Sequence, residues 1–311
     1  MNQSKQNNLA LYAAPAPTED SISSLGEWLD VWLATYKACQ VSKRTVEIYR
    51  SVIALLQPYP AAKKPLEAVS EIDLQLLLND LFVRGYSKST TTKIRYTLRQ
   101  CFRPLIRQHI LRDDPSAFLE LPNAPTKKIL PLTLEEQEKV EDVCQMLPLG
   151  HLIIFLLRTG LRRAEMAGLQ WEDYDAQNGS IFIRKSKTAA GIRTVYLLEE
   201  AQTIIEAQPR INQYIFNNTQ ENPIQPITWR RLCEHIGQET GIHLTPHMCR
   251  HTFVTRLCEK GVPAKAIAQI IGHAKADYVL DIYAQLEQQE LRKAIYTLEE
   301  RRQIPARGRA S

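Results

Sequence analysis

Hydrophobic residues recur with helical period along most of this chain. Leu25, Trp28, Leu29, Trp32 and Leu33 fall three or four apart, as do Val46, Tyr49, Val52, Ile53 and Leu56. That spacing lines one face of an amphipathic helix. A third stretch carries Ile72, Leu74, Leu76, Leu77, Leu81 and Phe82, and a fourth runs from about Ser87 to Ile110. Four such stretches with short polar connections predict a helical bundle. Pro104 falls inside the fourth and is expected to kink or divide it. The bundle should close near Asp114-Pro115, because a proline holds the preceding residue out of the helical region.

Beyond the bundle the texture changes. Prolines and lysines at 121–131 read as extended chain, and Thr133-Leu-Glu-Glu136 has the spacing of a capping box that opens a new helix. Helical patterns then occupy about 133–147, 150–158 and 161–169. Ser180–Lys185 and Ile192–Leu197 alternate as the two arms of a β-hairpin around Lys187–Gly191. Helices resume at about 199–208, 227–239, 246–260, 263–271 and 275–283. An amphipathic segment follows at 285–300, with Leu286, Leu291, Ile295 and Leu298 on one side. The expected division is a mobile tail at 1–20, a helical domain at 21–115, a linker at 116–131, a second domain at 132–300 and a basic tail at 301–311.

The composition suits two soluble globular domains: 311 residues, 44% hydrophobic and 23% charged. No apolar run reaches the length of a membrane span, and Met1–Ala10 lacks the apolar core of a signal peptide. The six cysteines form no C-x-x-C pair and are read as reduced thiols of a cytoplasmic protein.

Lys plus Arg exceeds Asp plus Glu by 39 to 34, a modest excess whose distribution says more. Arg84, Lys88, Lys93, Arg95, Arg99, Arg103, Arg107 and Arg112 fall in a span that contains no acidic residue. Arg95, Arg99, Arg103 and Arg107 recur every fourth residue, drifting only ~40° per step around a helix. A solvated helix face is the plain reading of such a run. Like charges four apart repel, however, and a phosphate backbone relieves that repulsion while releasing counterions. The residues from Arg84 to Arg107 are therefore candidate DNA contacts.

Candidate chemistry sits in the second domain as short words: Thr159-Gly160-Leu161-Arg162-Arg163-Ala164-Glu165, Lys185-Ser186-Lys187-Thr188, Thr245-Pro246-His247-Met248-Cys249-Arg250-His251, Ile270-Ile271-Gly272-His273, and Tyr283 ten residues later. Thr245 is a good N-cap and Pro246 suits the first helical position. His247 and Arg250 then share one helix face, where an imidazole can handle a proton and a guanidinium a phosphate. A zinc reading of His247 and His251, with Cys249 or His243, competes with this one. Cys249 projects to another side of the helix, however, and Pro246 stands between His243 and the rest.

In this order the words resemble the tyrosine recombinase (phage integrase) family, which shares T-G-L-R-x-x-E, a hairpin lysine, H-x-x-R-H, L-G-H and a nucleophilic tyrosine. The resemblance covers roughly residues 23–300. It implies a mainly α fold with a small β-hairpin or sheet: an N-terminal SAM-like core-binding bundle and an α+β catalytic domain, closing on DNA as a C-shaped clamp. Two departures are Ile-Ile-Gly-His in place of Leu-Gly-His and a spacing of ten from His273 to Tyr283, where Xer recombinases have nine. About twenty residues precede the bundle, so an arm-binding module is not expected.

The implied activity is site-specific DNA recombination. Tyr283 would attack a scissile phosphate to form a 3′-phosphotyrosyl intermediate, with Arg162 and Arg250 clamping the phosphate oxygens. Lys187, with Lys185 as alternative, would protonate the leaving 5′-oxygen. His247 would accept or position the tyrosine proton, His273 would hydrogen-bond the phosphate, and Glu165 would orient a catalytic group. Neither cofactor nor metal is expected. The expected partners are double-stranded recombination sites and three further copies of the chain in a homotetramer on synapsed DNA, from protomers that are monomeric when free. An accessory excision or DNA-bending factor belongs to the same expectation, and a membrane does not. Competing readings are a type IB topoisomerase, an inactive DNA-binding relative and a helical interaction module.

Overall fold

A computed structural model describes residues 23–121, 123, 130–186, 188–217, 224–284 and 286. These fall into two compact units, divided between positions 127 and 128.

The first unit is the helical bundle. Helix α1 (Leu25–Trp32) starts at Ser24, whose hydroxyl accepts from the Glu27 amide, and continues as a π-helical turn, Leu33–Lys37. Helix α2 (Lys43–Leu56) and the short α3 (Pro60–Lys63) lead to α4 (Glu71–Val83), which opens with a full capping box between Ser70 and Asp73. Helix α5 (Lys88–Arg107) is capped by Ser87. Leu29, Trp32, Leu74, Leu78, Leu98 and Phe102 form the centre of the core, and the Trp28 indole donates to the Cys101 carbonyl at 2.9 Å.

Three expectations for this unit need correction. Pro104 does not divide the fourth helix: α5 runs through it, because only one turn follows and a single backbone hydrogen bond is forfeited. The apolar positions of α4 do not share one face. Leu74, Leu77, Leu78 and Leu81 are buried, while Ile72 and Leu76 stand 69% and 62% exposed. The stretch expected as linker from 116 begins as packed structure: Ser116 and Leu119 are buried, and Gln75 exchanges hydrogen bonds with the Glu120 backbone at 2.9 and 3.1 Å.

The second unit is built around α7 (His151–Thr159), whose residues Leu152 to Leu157 are all buried. A helix apolar on every side has to lie at the centre of its domain. Helix α6 (Leu134–Met146) enters through the capping box foreseen at Thr133 and Glu136. The short α8 (Arg163–Ala167) precedes an antiparallel sheet of β1 (Tyr174–Asp175), β2 (Ser180–Ile183) and β3 (Arg193–Tyr196). Its first strand was not expected. Helices α9 (Glu199–Glu206), α10 (Pro226–Thr240), α11 (Pro246–Glu259) and α12 (Ala264–Ile271) follow, and 277–284 is again helical. The main core gathers Phe155, Phe216, Trp229 and Ile236 around α7. A smaller core holds Val254, Cys258, Ile267, Ile271, Val279 and Ile282. The amphipathic segment 285–300 lies outside the described residues except for Leu286, as do the tails. No described helix is long and apolar enough to cross a membrane.

The junction of α6 and α7 is closed at Gly150. A Cβ there would stand 1.9 Å from the Cys144 carbonyl oxygen and 2.6 Å from its Cα. Neither is a flexible side-chain end, so the two helices would have to part. Gly150→Ala is expected to destabilise the protein by ~1–3 kcal/mol through overpacking. A shift of the denaturant midpoint reads this, and an unchanged midpoint contradicts it.

Candidate active site

Among the helices of the second unit that end in left-handed glycines are α7 at Gly160 (φ 61°) and α12 at Gly272 (φ 66°). Neither tolerates a side chain: a Cβ on Gly160 would lie 2.3 Å from the Phe253 ring, and one on Gly272 would lie 2.7 Å from an Arg193 nitrogen. The last carbonyls of a helix have no partner within it and carry the negative end of its dipole. Here these carbonyls are taken up by arginines.

Arg250 comes from α11, which starts as foreseen with Thr245 accepting from the Met248 amide at 3.1 Å and Pro246 in the first turn. Its side chain is almost fully buried, and it donates to the carbonyls of Gly160 (2.7 Å) and Ile271 (2.6 Å). Arg162 stands at the N-cap of α8 and donates to the Gly272 carbonyl at 3.1 Å and to Glu165. Glu165, the acid of the same word, returns a bond by accepting from the Arg162 amide at 3.0 Å. A third guanidinium, not singled out in the sequence, completes the cluster. Arg193 on β3 donates to the Ile270 carbonyl at 2.6 Å, to Gly191 at 2.9 Å, and to both Glu165 oxygens at 3.3–3.4 Å.

Electrostatics follow from this crowding. Burial works to raise the Glu165 carboxyl, but hydrogen bonds from Arg162 and Arg193 outweigh it and hold the pKa below the ordinary value. Burial, then Arg162, draws Arg250 down to about 10, still charged at neutral pH. His247 lies at the exposed edge of the site; loss of water around its ring, then Arg250 and Arg162, lower its pKa. His273, next to Gly272, falls to about 4 through burial first and then Arg250 and Arg162. Both imidazoles are therefore neutral at pH 7, beside cations that can receive an anion. A groove of about 820 Å³ opens beside Arg162 and His247 and is floored by Trp229, Cys233 and Leu244. Cys249 is buried in the main core instead of facing the two histidines of its helix.

The structure brings Arg162, His247, Arg250 and His273 together, but not Tyr283. The Tyr283 hydroxyl donates to the Val262 carbonyl and lies beside the Cys258 thiol, and burial followed by Cys258 raises its pKa. Its ring belongs to the smaller core, where Val279 and Ile282 anchor the 277–284 run. The tyrosine nearer the cluster is Tyr278, whose ring centroid lies 5.0 Å from that of His273 and 5.3 Å from that of His251. Lys187 lies outside the described residues, and Lys185 is exposed.

On α5 of the first unit, Lys93, Arg99, Arg103 and Arg107 are exposed. Two members of the stripe have structural duties that the sequence did not reveal. Arg84 is paired with Asp80 at 2.7 Å, and Arg95 is half-buried with its guanidinium on the Leu119 carbonyl at 3.1 Å. Asp80 precedes the acid-free span, so the repulsion argument applies to Lys93 onward.

Residues 131–290 match the phage integrase family, and residues 29–109 match the phage integrase N-terminal SAM-like domain. The chain is 30% identical to the tyrosine recombinase XerA of Thermococcus onnurineus (strain NA1) over 219 residues, 68% of this chain and 75% of the relative. Its fold is similar to the Tn1549 transposon integrase in complex with a circular intermediate DNA, with a TM-score of 0.72, 21% identity, and coverage of 87% of this chain and 100% of that one. It is also similar to a lambda integrase tetramer bound to a Holliday junction, with a TM-score of 0.70, 21% identity, and coverage of 87% and 85%.

The depressed imidazoles give a direct test of the site. His273 should titrate at about 4 by NMR, and upward of that in Arg162→Gln, which removes one of the cations that lower it. A folded-state pKa below the unfolded value means that stability is complete above the unfolded histidine range. It is lost as pH falls through that range, where the unfolded chain takes up the proton first, down to about 4. An unshifted His273 resonance in Arg162→Gln contradicts the electrostatic account.

Proposed function

Because this chain belongs to the phage integrase family and is a tyrosine-type site-specific DNA recombinase, we propose that Tyr283 is its nucleophile and that Arg162, Arg250, His247, His273 and Lys187 complete the catalytic set. The observation that carries the reading is the gathering of two guanidiniums and two neutral imidazoles at the glycine ends of α7 and α12.

A DNA phosphate enters with the negative charge that this cluster lacks. The Tyr283 oxygen bonds to phosphorus, and its proton passes toward His247. The bond to the 5′-oxygen breaks, and that oxygen takes a proton from Lys187, leaving a 3′-phosphotyrosyl link. Charge grows on the non-bridging oxygens in the transition state, where Arg162, Arg250 and His273 donate to them. Arginine suits the task because its planar fork stays charged and donates in parallel. Attack by the free 5′-hydroxyl of another strand reverses the chemistry and rejoins the DNA. The Tyr283 hydroxyl leaves the Val262 carbonyl before it reacts, so the arrangement described here is a resting one.

The partners follow from the chemistry. Strand exchange needs two duplexes, and we assign four protomers to the synapse, with monomers in free solution and an accessory excision or DNA-bending factor setting direction. The DNA-bound and tetrameric states of the similar integrases support this assignment. Lys93, Arg99, Arg103 and Arg107 contact phosphates, with Lys88 and Arg95 at the margin of the same helix face and Arg84 at the end of α4. The protein works in the cytoplasm, on DNA. The recombinases and integrases among its relatives favour this reading over a topoisomerase.

Tyr283→Phe should bind a half-site normally yet form no covalent adduct on a nicked suicide substrate. An adduct that persists, or maps to a peptide containing Tyr278 or Tyr296, defeats the assignment. Replacing Arg99, Arg103 and Arg107 with Gln should weaken binding and flatten its salt dependence by about one unit of slope for each phosphate left without its arginine. An unaltered slope in a titration over salt concentration means that these arginines face bulk water.

A further inference from the structure

Arg193 is a costly residue where it stands. Its side chain is only 8% exposed, and it lies on the inner face of β3, two residues before the buried Val195 and opposite Ile183 in the register with β2. A cation buried in this way requires compensation by well-placed acceptors. Those acceptors come from three separate parts of the unit: the Gly191 carbonyl of the hairpin loop, the Ile270 carbonyl at the end of α12, and the Glu165 carboxylate of α8.

We propose that Arg193 is a positioning residue for strand cleavage, pinning the base of the loop that carries Lys187 to the end of α12 that carries His273. The inference rests on the reading of Lys187 as general acid. The distances rank the hydrogen bonds. Those to Ile270 and Gly191 (2.6 and 2.9 Å) are shorter than those to Glu165 (3.3–3.4 Å), so the chief tie joins hairpin to helix end. The loop base is closed where Arg193 holds it. A Cβ on Gly191 would fall 1.8 Å from the Ser186 hydroxyl oxygen, and one on Gly272 would fall 2.9 Å from the Gly191 Cα. Ser186, Gly191 and Gly272 are thus stacked against each other, with Lys187 next in chain to the first. Arg162 keeps its own bonds to Glu165 and Gly272 without Arg193. Loss of Arg193 therefore falls first on the loop and not on the phosphate clamp.

The test compares Arg193→Met with the parent protein on suicide half-sites whose scissile 5′-bridging atom is oxygen or sulfur, since a thiolate leaves without a proton. Cleavage of the oxygen substrate should slow by about 10²-fold, the size expected of a misplaced catalytic group, with half-site binding unchanged. The sulfur substrate should restore most of the rate. Hydrogen exchange should speed up at the Gly191 and Ile192 amides, which donate to Thr188 and Ala189 in the parent. Lys187→Ala is measured in parallel. If sulfur rescues Lys187→Ala but leaves Arg193→Met as slow as oxygen does, the inference is overturned. If sulfur fails to rescue Lys187→Ala, the general-acid reading falls instead; the positioning role is then decided by exchange alone, and unchanged protection at Gly191 and Ile192 overturns it. Should Arg193→Met show no cooperative melting, Arg193→Lys, which keeps the charge but not the fork, takes its place in the same measurements, with the same results deciding.

Discussion

Three successive carbonyls at the end of α12, those of Ile270, Ile271 and Gly272, each receive a guanidinium from a different part of the second unit. The candidate site is built on that convergence. Three cations and one buried carboxylate would not assemble unaided: two unit charges 4 Å apart repel by roughly 4 kcal/mol at an effective dielectric of 20. The helix end offsets this with carbonyls that lack partners of their own and with the negative pole of the dipole. Three guanidiniums still face one carboxylate; burial first, and then Arg162, draw the Arg250 pKa down to about 10. A site left short of negative charge favours a bound phosphate, and favours still more the extra charge that develops as a phosphoryl group is transferred.

The glycine turns make the convergence possible. Gly160 and Gly272 end their helices in a conformation that other residues resist, and both are packed so closely that even a methyl group meets an obstacle. This explains why two of the candidate words carry a glycine, Gly160 two residues before Arg162 and Gly272 next to His273. The turn presents the carbonyl and the neighbouring side chain together.

Much of this was legible in the chain. The cap at Thr245, the capping box at Thr133 and the hairpin arms rest on local rules, and local rules were obeyed. Where the reading failed, two local patterns overlapped or a tertiary partner decided. In α4 apolar residues occupy two faces, so periodicity alone could not tell Leu74 from Ile72. Asp80 reaches Arg84 from outside the acid-free span, and Leu119 claims Arg95 from a stretch that reads as linker. Arg193 was overlooked because a four-residue strand offers only two positions per face. The signal was nevertheless present: Val195 marks the inner face, and alternation puts a cation beside it, which calls for a buried acceptor.

Tyr283, the proposed nucleophile, obeys a different logic. It packs against the smaller core with its hydroxyl on the Val262 carbonyl and beside the Cys258 thiol, and a hydrogen bond of this kind contributes only about 1 kcal/mol net. Its arrest is therefore shallow compared with the packing of Val279 and Ile282 that anchors the same run. Helix α12 belongs to both arrangements. Ile267 and Ile271 pack into the core that holds the tyrosine, while the carbonyls at the end of the same helix hold the arginines. The Tyr283 hydroxyl sits on Val262, ahead of the first turn of α12, while the arginines gather at its last turn, so in this arrangement the proposed nucleophile and the proposed phosphate clamp are kept apart.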